Sequence, residues 1–302
     1  MDMYQKRKMR AEKKNNNNQE SFPKVSISWY PGHMAKTKRE IKEKLELIDI
    51  VFEVIDARIP YSSKNKDIDS MINEKPRVLI MTKIDLCDME KTKKWIKYYE
   101  DKGFVVIPVD LADNFNTKVI FDKIKPLVDE VNNKRASKGL KSRKARVLVL
   151  GVPNVGKSTL INRLVGKKAT SVGNKPGVTK NLEWIRLNDK IELLDTPGIL
   201  WPKLDDNTVA YNLAAMTAIK DEILAKDDLA IYIINKMLSS YEENIRNRYN
   251  ITVKDDIVTI LDEIGKKIGA IKNKETDYDK VYSKVIKDLQ EGYLGKVTFD
   301  NI

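Results

Sequence analysis

Residues 151–158 read Gly-Val-Pro-Asn-Val-Gly-Lys-Ser, and each residue type there has a use if the ligand is a chain of phosphates. Gly151 and Gly156 let the backbone bend so that its N–H groups point inward at an anion, and a helix beginning at once adds its positive end. Lys157 would sit on the β- and γ-phosphates, the Ser158 hydroxyl would reach Mg²⁺, and Asn154, Val155, Gly156 and Thr159 would line the same cradle. A chance glycine-rich turn is the rival reading, and the strand-like run before the motif speaks against it. Asp195-Thr196-Pro197-Gly198 supplies an acid for the Mg²⁺ shell and, in Gly198, an N–H that can sense a γ-phosphate. Between them, Thr179 of Pro176-Gly177-Val178-Thr179 is placed to complete Mg²⁺ coordination, against the simpler reading of a loop threonine.

A separate group reads a base. In Thr82-Lys83-Ile84-Asp85 a carboxylate can accept two hydrogen bonds from the N1–H and exocyclic amine of guanine. Adenine presents the wrong pattern and would leave buried polar groups unpaired. Lys83 would lie along the purine, and Thr82 stands where asparagine is usual. Asp110-Leu111 ends the next strand-like run, where many GTPases carry Ser-Ala for a last base contact; that pattern is absent here. GTP and GDP are the ligands these residues imply.

The base-reading motif precedes the phosphate loop, the reverse of the ordinary order, so the spacing implies a circularly permuted GTPase. The elements that must carry these residues follow that plan. Ile41, Leu45 and Ile48 share a helical face. The apolar runs 50–55, 78–81 and 104–109 alternate with helix-compatible stretches, as in a parallel sheet wrapped by helices. Residues 134–146, basic and poor in apolar side chains, read as the linker that the permutation requires, their charge solvated or touching RNA. The run 147–150 feeds the phosphate loop, and 182–187 with 190–194 read as a hairpin about Asn188-Asp189. The expected fold is α/β, a doubly wound, mostly parallel six-stranded sheet. Beyond 202 the pattern turns helical, with Ile257, Ile260, Leu261, Ile264 and Ile268 on one face and Tyr282, Val285, Ile286 and Leu289 on another.

Composition narrows the class. The chain has 302 residues, 41% hydrophobic and 33% charged, enough for two packed domains at about 150 residues each. A single cysteine, Cys87, excludes an internal disulfide and a cysteine-built zinc site. No apolar run nears the ~18 residues that span a bilayer, and the N-terminus lacks an apolar signal core; a cytoplasmic protein with no membrane partner is expected. The formal charge of +12 favours a polyanionic partner over a merely solvated surface. Residues 1–24, with basic clusters and four consecutive asparagines, read as a disordered basic tail that could also touch RNA.

Taken with these motifs, Trp29-Tyr30-Pro31-Gly32-His33-Met34-Ala35-Lys36, Asp56-Ala57-Arg58-Ile59-Pro60 and Leu200-Trp201-Pro202-Lys203 make the chain resemble the ribosome biogenesis GTPase A (YlqF/RbgA) family, from about residue 25 onward. The resemblance implies a GTP hydrolase that binds a late precursor of the large (50S) ribosomal subunit, through rRNA and ribosomal proteins, and leaves after hydrolysis. With the change of pattern at 202, the chain divides into a tail over 1–24 that inherits nothing from the family, a GTPase domain over 25–202 and a helical, RNA- or ribosome-binding domain over 203–302, and a monomer is expected. The resemblance assigns His33 as the residue that orients the attacking water, since Ile199 occupies the place of the usual glutamine and cannot touch water; a lone histidine is otherwise more often structural. In similar potassium-dependent GTPases the counterpart of Asn154 helps to hold K⁺ beside the phosphates. Two rivals stand: an RNA-binding assembly scaffold with GTP as a structural ligand, and a permuted GTPase acting on the small subunit. Small-subunit relatives carry zinc-binding cysteines or an added β-barrel, and one cysteine argues against the first of these.

Overall fold

The computed structural model describes residues 32–72, 75–113, 115–170, 181–200, 204, 206–219, 223–252 and 256–302. Six strands form one sheet: β1 (Ile50–Asp56), β2 (Arg77–Thr82), β3 (Val105–Pro108), β4 (Ala145–Leu150), β5 (Glu183–Arg186) and β6 (Ile191–Asp195). Their spatial order is β3-β2-β1-β4-β6-β5, all neighbours parallel except the β5–β6 hairpin. The late strand β4 therefore lies between the early β1 and the late β6. Val147 faces Ile50 on one side and Leu193 on the other. Strands covered on both faces read as continuous Val/Ile/Leu runs, and β1 is buried along its whole length.

Side chains alternate across the sheet, and the two faces build separate cores. Val51, Leu148, Leu150 and Leu194 meet Ile41, Ile48, Ile68, Ile72 and Ile199. Those residues come from or adjoin the helices α1 (Gly32–Lys44) and α2 (Lys66–Ile72). On the same face Ile55, Leu79, Met81 and Val106 pack with Cys87, Trp95 and Tyr99 around α3 (Met89–Asp101). The opposite face holds α4 (Thr117–Ala136) and α5 (Lys157–Val165). Its core runs without a break from Phe52, Val147 and Leu193 into the helical region at Leu213, Ile233, Leu261 and Val285.

That region comprises α6 (Asn207–Ala215), α7 (Lys226–Ser240), α8 (Glu242–Tyr249), α9 (Ile257–Lys267) and α10 (Tyr278–Gln290). Aspartates at 206, 256 and 277 cap α6, α9 and α10 by accepting backbone N–H groups of the first turn. Between α9 and α10 sits a small antiparallel hairpin, β7 (Ile271–Lys272) with β8 (Glu275–Thr276). Asn273 and Lys274 turn it at φ +51 and +66, a pair of left-handed residues that a two-residue hairpin accepts. Its two-residue strands are too short for periodicity to register, which is why the sequence pattern there reads as helix alone.

Two local boundaries differ from the sequence reading. The first α-helix stops at Lys44 and continues as a 3₁₀ turn over Leu45–Leu47, so Ile48 reaches the core from outside it. The linker is shorter than 134–146, because α4 persists to Ala136 and β4 begins at Ala145. Nor is its charge all solvated. Arg143 makes a two-pronged bond to Asp49 at 2.7 and 3.0 Å, and Arg146 pairs with Glu192 at 2.6 Å.

Candidate nucleotide site

The parallel strands deliver the sequence motifs to one edge of the sheet, since β4 ends at Leu150, β6 at Asp195, β2 at Thr82 and β1 at Asp56. The crevice beyond the carboxyl ends of such strands, where strand order reverses, is where open α/β sheets hold ligands.

The phosphate loop, 151–156, runs into α5, whose N-cap is Gly156 at φ +98. Leu111 Cδ1 and the Thr82 side chain border that glycine, where a Cβ would lie 3.1 and 3.8 Å from them. Lys157 Nζ donates to the Gly151 and Val152 carbonyls at 3.1 and 2.9 Å. Burial pulls this ammonium down to about 8, although Asp195 favours its charge. Asp195 is the complement. Burial pushes its carboxyl up to about 6 against the pull of Lys157, and its Oδ1 is buried with no hydrogen-bond partner among the described residues. A buried ammonium bonded to two carbonyls and a buried carboxyl oxygen with no partner among the described residues are both costly. A polyphosphate and a divalent cation would satisfy the two together.

Gly198 packs directly on the loop, since a Cβ there would fall 2.6 Å from Pro153 Cα. The next residue, Ile199, donates its N–H to the Gly151 carbonyl at 3.2 Å and buries its side chain in the core beside Ile41 of α1. Its carbonyl accepts from Asn65 Nδ2 at 3.1 Å, and Asn65 N–H in turn bonds the carboxylate of Glu53 at 3.2 Å. Burial raises the Glu53 carboxyl, against nearby Lys64 and Arg77. Neither Glu53 nor Asn65 stands out in the sequence.

The base-reading loop is a turn closed by Leu86 N–H to the Lys83 carbonyl at 3.0 Å. The Thr82 hydroxyl donates to the Val155 carbonyl at 2.5 Å, with the Ile55 carbonyl 3.1 Å away. A threonine here does by one short bond what ties the two loops together. Lys83, at φ +58, places Nζ 3.1 Å from Asp56 Oδ2. Arg58 grips the same carboxylate through Nε at 3.0 Å and Nη2 at 2.8 Å. Burial alone would raise Asp56, but Arg58 and Lys83 outweigh it and hold the carboxyl well below the usual range. The partner seen for Lys83 is thus Asp56. Ile84 packs in the core around Trp95, on one side of Asp85. Asp110 Oδ1 accepts from Ala112 N–H, and Arg163 of α5 bonds the Leu111 and Ala112 carbonyls, so this loop too is tied to the phosphate loop's helix.

Asn154, at φ +58, donates its side-chain amide to the Thr217 carbonyl at 2.8 Å, a direct link from the phosphate loop to the helical region. Thr170 Oγ1 reaches the Ser158 carbonyl at 3.4 Å. Thr179, the tail over 1–24 and Trp201-Pro202-Lys203 lie outside the described residues, as does the side chain of His33, whose backbone begins α1.

The chain is similar to known proteins over most of its length. A family described as a 50S ribosome-binding GTPase matches residues 146–280. The chain is 44% identical to the ribosome biogenesis GTPase A of Priestia megaterium, over 92% of this chain and 97% of that protein. It is 45% identical to that of Bacillus cereus, over 91% and 93%. Among solved structures it resembles the GNP-bound YlqF of T. maritima with a TM-score of 0.63 at 26% identity, covering 88% of this chain and 98% of that one.

Proposed function

The chain belongs to the ribosome biogenesis GTPase A family, a ribosome-assembly GTPase, and from that premise we propose that it acts in the cytoplasm, as a monomer, on a late precursor of the large (50S) subunit and is released when GTP is hydrolysed. One observation carries the nucleotide side of this reading: Lys157 is buried on the carbonyls of the phosphate loop and interacts with Asp195, whose Oδ1 is buried with no partner among the described residues, and Thr82 ties that loop to the one containing Asp85. GTPases of this kind use Mg²⁺, and the donor set fits it. Asp195, Ser158 and Thr179 would hold the ion, which supplies charge neutralisation between the phosphates. Lys157 and the N–H groups of 154–159 bind the phosphate chain, and Asp85 reads guanine with Thr82, Lys83 and Ile84 behind it. Asp110 and Leu111 flank the base. The carboxamide oxygen of Asn154 is the atom that would ligate K⁺, in the place of an arginine finger.

Ile199 is buried and cannot orient water, so another group must do so. His33 takes that role in this reading. The helix that carries it packs through Ile41 into the core that contains Ile199. The permuted chain order adds a means of coupling. Gly198 leads within a few residues into the helical region, and Asn154 already touches it at Thr217, so the presence of a γ-phosphate sets how that region sits and how it fits rRNA. The substitution His33→Ala tests the hydrolytic half. GTP affinity should stay within about twofold, because uniform binding is untouched, while 50S-stimulated turnover disappears. Stimulated turnover that survives would remove His33 from the mechanism.

A further inference from the structure

Residues 297–300 follow α10 and leave the helical bundle to run between two loops of the nucleotide site. Val297 N–H donates to the Leu86 carbonyl at 3.1 Å, and Phe299 N–H donates to the Arg58 carbonyl at 2.8 Å. Alternate residues of one short segment thus hold opposite walls. Between them, Thr298 Oγ1 lies 3.0 Å from Thr92 Oγ1 and 3.3 Å from the Asp88 carbonyl. The Asp300 carboxylate accepts from the Tyr61 and Ser62 N–H groups at 2.8 Å each, from Ser62 Oγ at 2.6 Å and from Asn212 Nδ2 at 2.8 Å. Its carbonyl receives Trp95 Nε1 at 3.3 Å. Val297, Thr298, Phe299 and Asp300 are all buried.

What these bonds hold is specific. Leu86 closes the turn that contains Asp85, so Val297 fixes one end of the base-reading loop. Arg58 grips Asp56, and Asp56 holds Lys83, so Phe299 fixes the other end through two ion pairs. The segment is itself anchored to the helical region. Asn212 of α6 binds Asp300 and receives Tyr232 Oη of α7 at 2.7 Å. Tyr241, after α7, reaches Asp88 Oδ2 and the Thr298 carbonyl at 3.0 Å each.

We propose that residues 297–300 are a positioning segment for guanine recognition, through which the helical region sets the aim of Asp85 at the exocyclic amine of the base. The inference rests on the guanine-reading role given above to Asp85. Its consequence is that a partner displacing the helical region loosens the hold on the base, beside breaking the Asn154 bond to Thr217 in the phosphate loop.

The test compares GDP with IDP, which lacks only the exocyclic amine, by equilibrium binding to the full chain carrying Asp300→Asn or Thr298→Val, with the fold checked by circular dichroism and melting. Asparagine in place of Asp300 turns a donor toward groups that already donate, and valine removes the Thr298 hydroxyl at nearly constant volume. The expected result is that GDP affinity falls about tenfold, the scale of one hydrogen bond to a charged group, while IDP affinity barely moves. The discrimination between them narrows accordingly. A merely structural role would lower both affinities in parallel or only the melting temperature, and either result in a folded variant overturns the proposal. If Asp300→Asn does not fold, Thr298→Val decides. Failure of the unsubstituted protein to bind GDP would instead strike the nucleotide reading beneath it.

Discussion

At the scale of single residues, Thr82 carries more than its place in a motif suggests. Its hydroxyl is the bond between the base-reading and phosphate loops, and both partners are buried. Replacing it with valine keeps the shape and leaves the Val155 carbonyl unsatisfied, at a cost of about 1–3 kcal/mol. Thr82→Val should therefore weaken GDP by roughly five- to 150-fold where the cost falls on the bound state, and Thr82→Ser should restore most of it; titration with a fluorescent GDP derivative measures both. Residues of this kind were legible in the sequence because their chemistry is local: a glycine-rich loop, a lysine and a hydroxyl within eight positions specify a phosphate cradle by themselves. Asp300 was not legible. Its partners Tyr61 and Ser62 lie 239 and 238 positions away, and no spacing rule links residues that only the closed fold brings together. Asn65 and Glu53 were hidden for the same reason. A lone glutamate in an apolar strand gives no sign of the Asn65 backbone it will bond.

At the scale of elements, the strands were readable because burial on both faces leaves uninterrupted apolar runs. The hairpin between α9 and α10 escaped, being shorter than any period. Element packing also makes a pH prediction. Asp288 of α10 is fully buried and bonds Arg248 through both guanidinium arms at 2.8 and 3.1 Å, Tyr249 Oη at 3.0 Å and Lys284 at 2.9 Å. Burial alone would raise its carboxyl, but the bonds to Arg248, Lys284 and Tyr249 outweigh burial and lower it. A depressed carboxyl stabilises the fold above its unfolded value near 3.8, and that stability is lost as pH falls through the lower folded value. Asp288→Asn should accordingly melt below the parent protein at neutral pH. The difference should shrink as pH falls below about 4, the unfolded range for aspartate. Melting curves from pH 7 down to 3 check it, and a difference independent of pH would mean the ion pairs are not its source.

At the scale of the whole molecule, the chain order puts residues 82–85 on the N-terminal half of the sheet and residues 151–158 on the C-terminal half. The helical region then closes over both. Its core is continuous with that of the sheet, and residues 297–300 lie among the loops of the nucleotide site. The division at 202, visible as a change of pattern in the sequence, is therefore not a division in packing. A chain ending at residue 202 should lose the cooperative unfolding transition of the full chain in urea, because it exposes that shared core; an unchanged midpoint would show the two parts to be independent. The charge of +12 and the family point the assembled molecule at a ribosomal particle. The most direct test of that claim is GTP hydrolysis in KCl by the purified protein alone, with 50S subunits and with 30S subunits. Strong stimulation by 50S alone is the predicted result; stimulation by 30S alone, or by neither, would contradict it.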